Sequence, residues 1–177
     1  MHNKVIKIAI TGGESTGKST LSTQLAAYYH TISVPEYARE YAREYASKLH
    51  REYVPNDILH IAQQQLALEN EYTPQANNVL FCDTELLVTK VWCEHAFGFC
   101  DAWIEQNILQ ADYALYLLMY PDIPWQYDPL REHPHLQLHF FDIYKALLQT
   151  YKKPFVVIDG TGEQRVQNAI QAVNSYL

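Results

Sequence analysis

Residues 12–19 have the residue types and the spacing of a loop that binds phosphate. They read Gly-Gly-Glu-Ser-Thr-Gly-Lys-Ser and fit the pattern G-x-x-x-x-G-K-[ST]. Glycines let such a loop wrap a phosphate, with its N–H groups pointing inward at the N-terminus of a helix. Lys18 would contact the β- and γ-phosphates of ATP, and the Ser19 hydroxyl would ligate Mg²⁺. The predicted nucleotide-binding residues of this loop are Gly12, Gly13, Glu14, Ser15, Thr16, Gly17, Lys18, Ser19 and Thr20.

Asp83 is the candidate for the second metal contact. It ends the apolar run Val79-Leu80-Phe81-Cys82, which is typical of a buried parallel strand. An aspartate at the end of such a strand holds Mg²⁺ in P-loop proteins. The alternative is that Asp83 caps the helix predicted to begin near Glu85, and the two roles are compatible. We assign the metal to Ser19 and Asp83, and the alternative for the loop itself is a glycine-rich turn that fits the pattern by chance.

Apolar runs and helical spacings alternate along the chain. Strands are predicted at residues 4–10, 32–34, 79–82, 113–119 and 155–158. Helices are predicted at residues 18–30, 36–49, 85–97 and 101–109, after an N-cap at Asn56, and after residue 162. Strands separated by helices indicate right-handed crossovers and a parallel sheet that is covered on both faces. No repeat or linker interrupts the pattern, so we expect one domain over residues 1–177.

The composition excludes several classes of protein. Hydrophobic residues make up 48% of the chain and charged residues 19%, which suits a folded core. A formal net charge of −7 argues against nucleic acid or an anionic membrane as the main partner. No apolar run approaches the ~20 residues of a transmembrane helix. The N-terminus lacks the apolar stretch of a signal peptide and the three cysteines form no CxxC pair, so we expect a cytoplasmic protein.

The stretch between Met119 and Leu136 contains four prolines together with aromatic and charged side chains. Loops of this length inside compact domains are often lids, and we predict a lid at about residues 121–139. Arg131 would close over the transferring phosphoryl group and stabilise its charge.

This segment favours a small-molecule kinase over two other kinds of nucleoside triphosphatase. The N-K-x-D sequence that reads guanine in signalling GTPases is absent from the chain. An AAA-type motor would need a helical subdomain and an acidic pair, whereas this chain has Asp83-Thr84-Glu85.

Four segments together resemble one family. They are the loop region Thr11-Gly12-Gly13-Glu14-Ser15-Thr16-Gly17-Lys18-Ser19-Thr20-Leu21, then Val34-Pro35-Glu36-Tyr37-Ala38-Arg39-Glu40, then Phe81-Cys82-Asp83-Thr84-Glu85 with Thr89, and Pro121-Asp122-Ile123-Pro124-Trp125 with Asp128-Pro129-Leu130-Arg131. The set resembles the nicotinamide riboside kinase (ribosylnicotinamide kinase) domain of NadR-type proteins over nearly the whole chain. The first segment is generic, whereas the other three are specific in combination.

The resemblance implies a fold and an activity. The fold is the P-loop NTPase fold of the nucleoside-monophosphate-kinase type, an α/β architecture whose five-stranded parallel sheet has the order 2-3-1-4-5. The activity is ATP- and Mg²⁺-dependent phosphorylation of the ribose 5′-hydroxyl of nicotinamide riboside, which yields nicotinamide mononucleotide in NAD salvage. The sequence starts directly at the kinase strand, so we do not expect repression or adenylyl transfer.

The same resemblance directs attention to the acceptor site. Glu36 would hydrogen-bond ribose hydroxyls or accept the 5′-hydroxyl proton; the alternative is a first-turn acid that favours the helix dipole. Arg39 would pair with Glu36 or reach the substrate. Aromatic faces attract the pyridinium cation of nicotinamide riboside by roughly 0.5–2 kcal/mol each. The candidate substrate-binding residues are Glu36, Tyr37, Arg39, Trp92, Trp125, Tyr127 and Asp128, of which Trp92 also fits a core position and Asp128 a turn before Pro129.

Two further alternatives remain open from the sequence. Thr161 and Gly162 follow the last strand, where related kinases place backbone against adenine, but a simple strand-to-helix turn also fits. The catalytic residues are predicted to be Lys18, Glu36, Asp83 and Arg131. The activity itself could instead be that of a kinase for another nucleoside or small hydroxylated metabolite, or of a regulatory switch that hydrolyses nucleotide.

Overall fold

The structure is a computed structural model that describes residues 4–48, 52–127 and 135–177. Its strands are β1 (Ile6–Thr11), β2 (Ser33–Val34), β3 (Val79–Asp83), β4 (Leu115–Met119) and β5 (Phe155–Ile158). Its α-helices are α1 (Lys18–Tyr28), α2 (Tyr37–Lys48), α3 (Pro55–Tyr72), α4 (Leu86–Phe97), α5 (Ala102–Gln110), α6 (Gln137–Thr150) and α7 (Gly162–Asn174).

The strands form one sheet in which every neighbouring pair is parallel. The order is β2-β3-β1-β4-β5, so the fold and strand order predicted from the sequence are confirmed. β1 lies at the centre of the sheet and pairs Ile10 with Asp83 on one side and with Leu117 on the other. The carboxyl ends of β1 and β3 therefore meet at one edge, which brings the loop after β1 beside Asp83.

Apolar side chains cover both faces of the sheet. On one face, α1 and α7 contribute Leu21, Leu25, Ala169, Ile170 and Val173 to a cluster with Ile8 and Ile10 of β1. On the other face, α3 to α6 pack residues that include Ala62, Leu87, Ile104, Ile108, Tyr144 and Leu148 against Ala9, Cys82 and Tyr116. These helices thus turn apolar residues toward the sheet. β1 and β3 are rigidly held where their ends carry the candidate site.

Three local expectations need correction. Asn56 does not cap α3, because the helix begins at Pro55 and the Asp57 carboxylate accepts from the Val54 N–H at 2.8 Å. The strand expected from residue 113 begins at Leu115. Helix α6 was not predicted, and it begins at Gln137, inside the span assigned to the lid.

Within the three described ranges, no helix is both long and apolar enough to cross a membrane.

Candidate functional site

The loop after β1 adopts backbone conformations that require its glycines. Gly12 has a φ of 138°, and a Cβ there would lie 3.2 Å from the Cβ and the carbonyl oxygen of Met119. Gly17 has a φ of 83° in the left-handed region and immediately precedes α1. A residue with a side chain would be strained at these φ values. Because both residues are glycine, the loop can pass close to β4 and turn sharply into α1. The alternative of a chance match to the pattern leaves this geometry unexplained.

Lys18 lies back along this loop. Its Nζ donates to the carbonyl oxygens of Gly12 at 3.0 Å and Gly13 at 2.8 Å. The Thr16 hydroxyl also donates to the Gly13 carbonyl, at 2.8 Å. Side chains of the loop therefore hydrogen-bond the carbonyls of Gly12 and Gly13, and these bonds hold the ammonium group of Lys18 against the loop. The geometry suits a lysine that exchanges carbonyl partners for phosphate oxygens.

Asp83 is only 5% exposed, and Ser19 lies close enough to influence its carboxylate. Burial raises the pKa of Asp83, while Ser19 and the charge of Lys18 act in the opposite direction. Its Oδ1 is buried and has no hydrogen-bond partner among the residues that the structure describes. Carboxylate and hydroxyl oxygens are ligands that Mg²⁺ prefers. Asp83 Oδ1 therefore fits a magnesium site, because it is buried without a partner and lies near Ser19 and near Lys18, the lysine predicted to contact phosphate.

The capping role considered for Asp83 belongs to Glu85. Its Oε2 accepts from the backbone N–H of Leu87 at 2.7 Å, which makes Glu85 the N-cap of α4. Its Oε1 accepts from the hydroxyl of Thr11 at 2.8 Å, at the end of β1. Burial raises the pKa of Glu85 to about 7, although both hydrogen bonds lower it. Glu85 thus joins the base of the loop to α4 and leaves Asp83 free of the cap.

A cleft of about 390 Å³ opens beside Ser19 and Asp83, and its other walls come from α1, β2, the segment that leads into α2, and α2 itself. Glu36 and Arg39 line it and form an ion pair, with Arg39 Nε 2.9 Å from Glu36 Oε2. The pairing anticipated from their spacing is therefore present. Since the cleft also includes Ser19 and Asp83, Glu36 shares one space with the candidate metal site.

A series of aromatic rings connects α2, α3 and α4. The rings of Tyr37 and Tyr41 on α2 lie 6.1 Å and 5.5 Å from that of His60 on α3. Tyr53 continues the series, 6.2 Å from Tyr41 and 5.3 Å from Trp92 on α4. Trp92 is half-buried and packs on the apolar cluster of α3 and α4, as its core alternative anticipated. Tyr37 follows Glu36 in the chain, and its side chain packs on the cluster of Ile58 and Ile61 rather than lining the cleft.

The first part of the predicted lid lies over the phosphate-binding loop. The backbone N–H of Gln126 donates to the Ser15 hydroxyl at 2.9 Å, and a Cβ on Gly17 would approach Ile123 Cδ1 to 3.3 Å. Trp125 is half-buried in this segment, whereas Tyr127 is 85% exposed. Asp128 and Arg131 lie outside the described residues.

Sequence reasoning missed Arg165, which connects three parts of the nucleotide end of the sheet. This side chain of α7 is 5% exposed and forms an ion pair with Asp122. It donates to the carbonyls of Gly160 at 2.6 Å, Thr16 at 2.7 Å and Tyr120 at 3.0 Å. A signal was available, because Arg165 lies four residues before Ala169 and thus on the apolar stripe of α7. A charged residue on such a stripe is buried only when it is paired.

The loop after β5 is held by the same network. Asp122 accepts from the Gly160 N–H at 2.6 Å, and Arg165 binds the carbonyl of the same glycine. Thr161 and Gly162 are exposed at the start of α7, and Gly162 has a φ of 54°. Backbone groups are therefore presented at the position predicted for adenine, and the strand-to-helix turn is formed by the same residues.

The sequence matches the family model described as an AAA domain over residues 7–165. It is 31% identical over 124 residues to the trifunctional NAD biosynthesis/regulator protein NadR of Salmonella typhimurium (strain LT2). That alignment covers 70% of this chain and 30% of the relative. The chain thus spans less than a third of the curated relative, and the match supports the resemblance to NadR-type proteins. An AAA-type motor would need a helical subdomain and an acidic pair in addition to the P-loop domain that this match covers.

Two solved structures share the fold. A crystal structure of NadR protein in complex with NR has a TM-score of 0.78 and 24% identity, covering 98% of this chain and 52% of that one. A structure of deoxyadenosine kinase from M. mycoides has a TM-score of 0.69 and 14% identity, covering 96% of this chain and 100% of the other. At these identities the likeness establishes the P-loop fold that the three chains have in common.

Proposed function

We propose that this chain, which belongs to the AAA domain family of P-loop proteins, is an ATP-dependent kinase that phosphorylates nicotinamide riboside to nicotinamide mononucleotide. One observation carries the proposal: the cleft lined by Glu36 also contains Ser19 and Asp83. A hydroxylated acceptor in that cleft would lie beside the phosphate that Lys18 and the metal hold. A hydrolytic switch needs no such space for a second molecule.

The residues of the cleft have distinct roles in this proposal. Ser19 and Asp83 hold Mg²⁺, which neutralises charge on the phosphates when it is bound. Lys18 stabilises the phosphoryl group during transfer, and Glu36 orients the acceptor hydroxyl or accepts its proton. Arg39 holds the Glu36 carboxylate in place through their 2.9 Å ion pair. Catalysis is then mostly positioning of the two reactants, as in other phosphoryl transfers.

The choice of nicotinamide riboside rests on the NadR-type relatives and on the aromatic residue that follows Glu36. The Salmonella relative is a NAD biosynthesis protein, and a related NadR structure was solved in complex with NR. Tyr37 follows Glu36 in the chain, and an aromatic face turned toward the base of the acceptor would attract a pyridinium cation. The likeness to deoxyadenosine kinase makes a nucleoside with a neutral base the second candidate acceptor.

The test is ADP release from ATP and Mg²⁺ with a panel of nicotinamide riboside, deoxyadenosine, cytidine and uridine, with product analysed by mass. We expect rapid ADP release and a product heavier by one phosphoryl group with nicotinamide riboside. Preference for another nucleoside would retain the kinase and replace the acceptor. ADP release that no acceptor stimulates would indicate a hydrolytic switch and overturn the proposal.

A further inference from the structure

Gln65 is a buried amide on the core-facing side of α3. It is 2% exposed and follows Ile58, Ile61 and Ala62 at helical spacing, all of them buried. An apolar residue would be ordinary at this position. A buried amide instead has to find partners for both its oxygen and its nitrogen, because an unpaired buried polar group costs free energy.

Both partners of Gln65 are backbone groups on either side of Glu36. The amide oxygen Oε1 accepts from the N–H of Tyr37 at 2.8 Å. The amide nitrogen Nε2 donates to the carbonyl of Pro35 at 3.2 Å. The orientation of the amide is fixed by this pair, since a peptide N–H only donates and a carbonyl only accepts. The side chain therefore hydrogen-bonds the backbone immediately before and immediately after Glu36.

This pattern is the one that a neighbouring parallel strand would supply. In a parallel ladder, one residue donates to the carbonyl before its partner and accepts from the N–H after it. Gln65 does both for Glu36. The last paired residue of β2 is Val34, so Glu36 lies two residues beyond the end of the strand pairing. The amide thus acts as one extra rung at the edge of the sheet, where β2 ends and α2 begins.

We propose that Gln65 is a positioning residue for the acceptor site: it fixes the backbone on both sides of Glu36, and so sets where the Glu36 carboxylate stands in the cleft. This inference rests on the proposed function, because it assigns Gln65 to the acceptor rather than to ATP. The partners of Gln65 are Pro35, which lines the cleft, and Tyr37, which begins α2, so both lie on the acceptor side. The nucleotide side is held by other residues, among them Arg165.

The first test compares Gln65→Met with Gln63→Met. Methionine fills a similar volume but makes neither hydrogen bond, and Gln63 is exposed on the same helix. We expect Gln65→Met to raise KM for nicotinamide riboside by about fivefold to tenfold, as the loss of two hydrogen bonds allows, while KM for ATP stays within about twofold. Gln63→Met should match the wild type in both constants.

A purely structural role predicts a different result. A variant that is merely less stable has a smaller active fraction, which lowers kcat and leaves both KM values unchanged. Equal KM values for the acceptor in the two methionine variants would overturn the inference. So would equal increases in KM for the acceptor and for ATP in Gln65→Met.

A second variant keeps the test decisive if Gln65→Met fails to fold. In Gln65→Glu, a protonated carboxyl can still accept from Tyr37 and donate to Pro35, whereas an ionised carboxylate loses the donor. We expect its KM for the acceptor, divided by the wild-type value at the same pH, to fall as pH is lowered. A ratio that does not change with pH contradicts the inference.

The outcome for Gln65 is separable from that for the proposed function. If the wild-type protein phosphorylates another nucleoside of the panel instead, nicotinamide riboside is the wrong acceptor, and the KM comparison is made with the nucleoside that is used. If the wild type uses nicotinamide riboside and Gln65→Met equals Gln63→Met, the inference about Gln65 alone is wrong. If no acceptor is used, both fail.

Discussion

The guanidinium of Arg165 donates from Nη1 to the backbone carbonyl of Thr16 at 2.7 Å, joining residues 149 positions apart in the chain. The same group binds Gly160, Tyr120 and Asp122. One buried side chain thus fixes the phosphate-binding loop relative to the loop after β5 and to the start of the segment that lies over it. The guanidinium has five N–H donors in a fixed plane and contacts four acceptors here, whereas an ammonium group has only three donors.

Replacement of Arg165 by lysine should weaken ATP binding specifically. Lysine keeps the charge near Asp122 but cannot reach the three carbonyls together, so the two loops lose their fixed spacing. We expect KM for ATP to rise about tenfold, with KM for the acceptor nearly unchanged. Steady-state kinetics at varied ATP measures this, with Gln167→Lys on the exposed face of the same helix as control. Unchanged KM for ATP would limit Arg165 to a role in stability.

Lys18→Ala should abolish phosphoryl transfer while the protein remains folded. Among the described residues, the hydrogen bonds of the Lys18 ammonium group go to carbonyls of its own loop, so few folding interactions are lost. Loss of a charge on the transferring group should lower kcat by roughly a hundredfold or more. Turnover and the thermal midpoint measure the two effects, and Lys145→Ala on the exposed face of α6 is the control. Near-normal turnover in Lys18→Ala would contradict the assignment of the loop.

Asp83→Asn should increase the Mg²⁺ concentration required for activity much more than it weakens nucleotide binding. The amide retains the shape of the side chain but lacks the charge that holds a divalent cation. The protein should not lose stability, because burial raises the pKa of Asp83 and the substitution removes a buried charge. Turnover is measured against Mg²⁺ concentration, with the exposed Asp142→Asn as control. Superimposable curves would remove Asp83 from the metal site.

Tyr37→Leu should reduce the preference for a cationic acceptor. If this ring faces the base, nicotinamide riboside should exceed its neutral dihydro form in kcat/KM by about fivefold to thirtyfold in the wild type. The variant should lose much of that ratio without a change in affinity for ATP. Trp92→Leu is the informative comparison, because Trp92 packs on the cluster around Ile58 and should affect stability first. Equal ratios in the wild type and Tyr37→Leu would place recognition elsewhere.

Glu85 should make stability depend on pH. Its pKa is raised to about 7 by burial, so the folded protein favours the protonated form. The stabilisation is present below the ordinary pKa of 4.5 and is lost as pH rises through about 7. A shift of this size corresponds to about 3 kcal/mol in the free energy of unfolding.

Denaturant unfolding of the wild type and Glu85→Gln between pH 4 and about pH 8 tests this expectation. The amide retains a hydrogen bond to Leu87 and can donate to Thr11, but it does not ionise. The wild type should therefore lose stability relative to Glu85→Gln as pH rises. The exposed Glu163→Gln should follow the wild type at every pH. Parallel curves for the wild type and Glu85→Gln would show that Glu85 does not titrate in this range.

The phosphate-binding loop and the parallel sheet could be predicted from residue patterns alone, and the family resemblance of the sequence implied the strand order. Residues 12–19 are contiguous, and apolar runs separated by helical stripes are local signals that persist in any fold compatible with them. The sequence also placed Asp83 and Glu36 at strand ends, because the carboxyl ends of parallel strands meet at one edge. Asn56 as a cap and the unpredicted α6 are the local failures, since helix ends depend on caps that several neighbouring residues compete to provide.

The side chains that hold the phosphate-binding loop, Asp83 and Glu36 in place could be identified only from the folded structure. Glu85 rather than Asp83 caps α4 because Thr11 of β1 lies within reach of its carboxylate. Arg165 and Gln65 form their bonds with backbone groups that are remote in sequence, and a backbone carbonyl or N–H carries no residue type by which a pattern could find it. Their roles follow from the packing of α7 and α3 on the sheet, which brings buried polar atoms to the partners that their desolvation requires.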